Sequence, residues 1–144
     1  MKRFGLWLTI VILFSLPALV FAQSVGGTTR FGMVGVALQE TLRLNVVAAY
    51  PPTPCIAQLG FRDANGQPQP NPDKTVNLQP GQAAFLDVSA ASLGITFGHR
   101  VELRPIVSVM LGPNAAPSVC QANAEVFDSF SGRTSAWLPG SPAQ

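Results

Sequence analysis

Between residues 125 and 135 the chain reads EVFDSFSGRTS, its densest run of groups capable of chemistry. Two acids, three serines, a threonine, a glycine and an arginine lie within this stretch. A metal-ion-dependent adhesion loop would need Asp-x-Ser-x-Ser. Here the serines stand at the first and third positions after Asp128, so Phe130 occupies a place where a ligand hydroxyl is required. An EF-hand loop needs alternating oxygen ligands over twelve residues, and no such run occurs. Calcium could still gather at Asp63, Asn65, Asp73 and Asp128. Asp and Asn ahead of Gly are, however, ordinary turn formers, and no metal is expected.

Nucleophilic catalysis fares no better. A serine needs a base to activate it, and His99 is the single histidine, set between Gly98 and Arg100 with no Gly-x-Ser-x-Gly elbow in the chain. The seven acids fall in turns or on outward strand positions, which does not suggest the paired carboxylates of a glycosidase. Arg100, Glu102 and Arg104 line one side of a strand, a pattern that fits a solvated face discouraging edge pairing better than a ligand stripe. No catalytic residue and no cofactor are expected. Phe127, Phe130 and Trp137 are the remaining candidates. Buried, they close one end of the fold, which is the expectation; exposed, they form a carbohydrate- or protein-binding patch.

The ends of the chain indicate where these residues work. Lys2 and Arg3 precede a mostly apolar run over 4–21, and Val20 and Ala22 occupy the small-residue positions read by signal peptidases. This predicts a secretory signal peptide over 1–22, cleaved after Ala22, and a secreted or periplasmic product with no stable membrane span. The alternative is an uncleaved anchor. The basic excess leaves with the signal: Arg30, Arg43, Arg62, Lys74, Arg100, Arg104 and Arg133 then face seven acids. Nucleic-acid binding, which needs a basic stripe to neutralise phosphates, is not expected.

Cys55 and Cys120 are the only cysteines, and secretion makes a disulfide between them the default. Aligned on these cysteines, CIAQLGFRDANGQ and CQANAEVFDSFSGR echo one another. Each has an acid eight residues on (Asp63, Asp128), then a glycine (Gly66, Gly132), then a long polar residue (Gln67, Arg133). Cys55, Ala57, Leu59 and Phe61 would share one strand face, as would Cys120, Ala122, Ala124 and Val126. Each cysteine therefore opens a half-buried strand that ends in an Asp-led turn. In the second, 129–132 turns and 133–138 returns, with Arg133 pairing Asp128 across the neck.

The elements that must position these turns share the same period of two. Leu42, Leu44 and Val46 alternate with polar residues, as do Val76 and Leu78, while Val101, Leu103, Pro105, Val107 and Val109 oppose Arg100, Glu102, Arg104, Ile106 and Ser108. Ala84, Leu86 and Val88 oppose Phe85 and Asp87. Pro105 cannot donate to a ladder, so it marks an edge, a bulge or a strand that switches sheets. No segment keeps a helical stripe, and SAASLG supplies at most one helical turn. Pro- and Gly-rich stretches separate the runs. About 7–8 short strands and one cystine predict an all-β immunoglobulin-like or Greek-key β-sandwich over 35–139, after a lead-in over 23–34 and before a tail over 140–144.

ETLRLNVV, LQPGQAAFLDV, RVELRPIV and CQANAEVFDSFSGRTS resemble a recurrent group of small secreted bacterial proteins without an assigned function. The resemblance runs from residue 35 to 135 and implies a β-sandwich and a bacterial source; it carries no catalytic residues. The function expected is a non-catalytic module for binding, adhesion or assembly at the cell envelope or beyond it, with a protein or glycan partner. The alternative is a small secreted hydrolase or an enzyme-associated carbohydrate-binding module.

Overall fold

The computed structural model describes residues 27–48, 53–69, 72–112 and 118–140. The signal peptide expected over 1–22 and its cleavage point lie outside them. Nine strands form among the described residues: β1 (Thr28–Arg30), β2 (Val34–Ala37), β3 (Glu40–Val47), β4 (Cys55–Arg62), β5 (Lys74–Leu78), β6 (Ala83–Ser89), β7 (Arg100–Val109), β8 (Gln121–Asp128) and β9 (Thr134–Pro139). The count exceeds the 7–8 expected because the chain pairs earlier than residue 35: β1 and the first residue of β2 fall in the segment read as a lead-in.

All pairings are antiparallel, in two sheets. One runs β1-β7-β4-β5 with β2 also on β7; the other runs β6-β3-β8-β9. Side chains on strands alternate between faces, and the apolar set of each strand turns toward the facing sheet. Leu42, Leu44 and Val46 of β3, Ala124 and Val126 of β8 and Val88 of β6 meet Ala57, Leu59 and Phe61 of β4 and Leu103 and Val107 of β7 in one buried core. The alternation expected for β3, β4 and β5 is the alternation found. Cys120 and Ala122 are less covered than expected, half-buried beside the fully buried Ala124.

Cys55 and Cys120 are disulfide-bonded, with their Cα atoms 5.0 Å apart. The bridge joins the start of β4 in one sheet to the residue before β8 in the other, so it clamps the two layers together at one pole. Ser118 reinforces the clamp: its Oγ accepts from the Ile56 amide at 2.6 Å. A single turn follows β6, where the Leu93 amide donates to Ser89 O at 3.2 Å. SAASLG was expected to make one helical turn at most, and it forms this turn without a helix.

Pro105 sits inside a central strand rather than at an edge. β7 pairs with β2 through residues 100–103 and with β1 through 106–108, so Pro105 falls at the break between two short partners. Its carbonyl accepts from the Phe31 amide at 3.3 Å. In a strand the nitrogen and carbonyl of one residue face the same side, so the missing N–H points at that break, where no ladder bond is lost.

Candidate functional site

The two Asp-led turns come out as the echo predicted. The Asp63 carboxylate accepts from the amides of Asn65 at 2.8 Å and Gln67 at 2.9 Å, while Gly66 adopts φ +81°. Asp128 Oδ1 accepts from the amides of Phe130 at 3.0 Å and Ser131 at 2.6 Å, and Gly132 adopts φ +70°. Both glycines stand in the left-handed region that other residues enter only at a cost. The Ser131 amide first, then its hydroxyl and the Phe130 amide, hold Asp128 below the ordinary aspartate range. Arg133 differs from expectation: the neck is closed by the Asp128 amide donating to Arg133 O at 2.9 Å, and no ion pair joins the two side chains among the described residues.

The acids examined for chemistry are engaged structurally. Asp87 takes a bidentate pair from Arg43, with Nε–Oδ1 and Nη2–Oδ2 both 2.8 Å. Asp73 binds Arg62 in the same way, Nη1–Oδ1 being 2.6 Å, and Glu102 pairs with Arg100 at 2.8 Å. Glu40 accepts from the Ala37 amide at 2.9 Å and from Ser135 Oγ at 3.3 Å. His99 lines a groove of about 430 Å³ with Leu38, Gln39 and Phe97, a groove that neither Glu102 nor Asp128 lines.

That groove lies at the pole opposite the cystine, called here the apex. Three loops are tied together there at Gln39 and Glu40. The Gln39 carbonyl accepts from Ser129 at 2.7 Å, and the Glu40 carbonyl accepts from Ala90 at 2.9 Å. Thr41 Oγ1 and Ser129 Oγ lie 2.6 Å apart. Gln39 itself adopts φ +70°, an unusual conformation for a residue with a side chain, held by these bonds. From this frame Phe97 projects with 89% of its surface exposed and Phe130 with 95%; Leu38, also exposed, stands between their loops.

The three rings expected to close one end of the sandwich do not do so. Phe130 is at the apex tip. Phe127 and Trp137 lie on the outer face of the four-stranded sheet, in adjacent cross-strand rows. Trp137 is 59% exposed, and Phe127 is half-buried beneath the Arg43 guanidinium, 5.0 Å from its ring centre. Arg43 also lies 4.4 Å from the centre of Phe85. Its pairing with Asp87 is the main reason its guanidinium is held above the ordinary value.

Two exposed apex residues, Phe97 and Leu38, carry little signal in the sequence. The only signal for Phe97 is its place in TFGHR, a phenylalanine beside a glycine between strand runs. No known protein family, curated protein or solved structure is matched by this chain.

Proposed function

We propose that the protein is a secreted, non-catalytic binding module of immunoglobulin-like β-sandwich character, engaging a protein at the cell envelope or outside the cell through its apex. The observation that carries this reading is the exposure of Phe97 and Phe130 on loops that are both hydrogen-bonded to the Gln39–Glu40 turn. A lone exposed apolar residue is commonplace, but two almost fully exposed phenylalanines on loops at the same pole offer apolar surface whose burial would favour association. Each fully buried phenylalanine is worth roughly 1.5–3 kcal/mol relative to leaving it in water. The frame also lowers the ordering cost of binding, since the loops are already fixed. The inter-sheet cystine and the chain's repeated crossings between sheets support the immunoglobulin-like affiliation. The hydrolase alternative draws less support, because the acids it would recruit serve as turn caps and ion-pair partners.

The test compares the secreted wild-type chain with Phe97→Ser/Phe130→Ser for co-sedimentation with envelope from the producing cells. Binding should fall about tenfold or more. The melting temperature should hold, because both rings project into solvent. Prior protease treatment of the envelope should abolish wild-type binding. Equal binding by the two chains, or binding indifferent to the protease, rules out an apex that engages a protein.

A further inference from the structure

A second surface, independent of the apex, lies on the outer face of the β6-β3-β8-β9 sheet. The registers set Phe85, Asn45, Asn123 and Pro139 in one cross-strand row, and Asp87, Arg43, Glu125 and Trp137 in the next. Phe85, 51% exposed, stands at one edge of this strip and Trp137 at the other. Three inter-strand spacings separate those edges, about 14 Å.

Between the rings lie the amides of Asn45 and Asn123, the Glu125 carboxylate and the Arg43–Asp87 pair, all already oriented. Asn45 Nδ2 donates to Asn123 Oδ1 at 3.0 Å and to Glu125 Oε1 at 3.4 Å. Glu125 Oε2 accepts from Thr134 Oγ1 at 3.4 Å. Asn45 Oδ1 and Asn123 Nδ2 are left without a protein partner among the described residues, an acceptor and a donor on an open face. Beside Trp137 a groove of about 440 Å³ opens, lined by Asn123, Gln121, Val47 and Pro139.

The charges of the strip cancel. Arg43 is paired with Asp87 through Nε and Nη2, and its guanidinium lies over the rings of Phe85 and Phe127. Lys74 Nζ donates to Phe85 O at 3.1 Å at the rim, opposite the negative Glu125.

We infer that this strip binds a neutral oligosaccharide. A sugar ring offers an apolar C–H face that stacks on an aromatic plane and a rim of hydroxyls that pair with amides and carboxylates. A sheet face with rings at both edges and amides between them presents those features. An anionic polysaccharide would meet the carboxylates of Asp87 and Glu125 here, and an apolar peptide would leave the amide row unpaired.

The test is a calorimetric titration of the oxidised secreted chain with cello-, chito- and malto-oligosaccharides, and with an oligogalacturonate as the anionic comparison. Trp7 is the only other tryptophan, and it lies in the segment expected to be cleaved, so indole emission from the processed chain reports Trp137 directly. At least one neutral series should bind and shift that emission. Trp137→Ala should weaken it about tenfold or more, Trp137→Phe should retain most of it, and Asn123→Ala should weaken it with an unchanged melting temperature. Phe97→Ser/Phe130→Ser should bind sugar like wild type, which separates this site from the apex. Binding of the galacturonate alone, of no sugar in the panel, or of a neutral sugar unaffected by Trp137→Ala each overturns the assignment.

Discussion

Asp128 lies at the centre of the run that looked most like chemistry, and its carboxylate is spent on two backbone amides of its own turn. That use was legible, because Asp63 repeats it at the same distance from the other cysteine. The role of Arg133 was not legible: sequence spacing suggested a charge pair, whereas the neck closes through the backbone. A pH dependence follows. Amide donors stabilise the charged form, so the folded value lies below the unfolded value of about 3.9. Stability from this group is therefore complete above that unfolded value and is lost as pH falls through the folded one. Asp128→Asn removes the titrating group. The melting-temperature gap between wild type and Asp128→Asn should be widest near neutrality and narrow steadily from pH 5 to pH 2. A gap independent of pH would mean that the amide contacts do not depend on the charge.

Most strands were readable because one face of each is buried, and period-two alternation records that fact. β9 shows the limit: Ala136 faces inward, opposite the buried Val126, yet stays exposed at the open edge of its sheet. Alternation reports which way a side chain points, not whether another layer covers it. The same limit hid the exposure of Trp137. Pro105 shows a different limit, since its missing donor marked a break in pairing but not that the break lay on one side of a central strand. The Val109 amide and the Pro105 carbonyl bond toward the β1 side, while the Met110 amide bonds to Ile56 O on the side of β4. Ladder alternation therefore turns the Ile106 amide toward β4, where Gly60 is its partner. Moving the proline by one residue should matter greatly. Ile106→Pro should cost about 1–3 kcal/mol through the lost ladder bond and the acceptor it leaves unpaired, while Pro105→Val, which removes no ladder bond, should cost less. Denaturant midpoints of the two variants would decide; similar losses would show that side-chain fit, not the ladder, governs this point.

At the scale of the molecule, the two poles are fastened differently: the cystine bridges the layers, whereas the apex bonds extend the ladders of the four-stranded sheet. The apex is tied by amides to Gln39 and Glu40, and the far pole by Cys55–Cys120 with Ser118. Among the described residues the core between them is one apolar cluster, with the covalent clamp at its edge. Closing a loop of 65 residues stabilises by about 4 kcal/mol in the chain-entropy account. Reduction, or Cys55→Ala/Cys120→Ala, should therefore lower stability by roughly 2–5 kcal/mol in denaturant titration. The loss should also be uneven. Amide exchange at Ile56 and Ala122, beside the bridge, should accelerate more than exchange at Ala90 and Ser129, whose bonds the bridge does not touch. Uniform acceleration would instead mean that the sandwich opens only as a whole. In that case the apex frame would have no stability of its own, and removing the bridge would weaken binding at Phe97 and Phe130 as well. An uneven response leaves the apex standing in the reduced protein, with its contact with a partner intact.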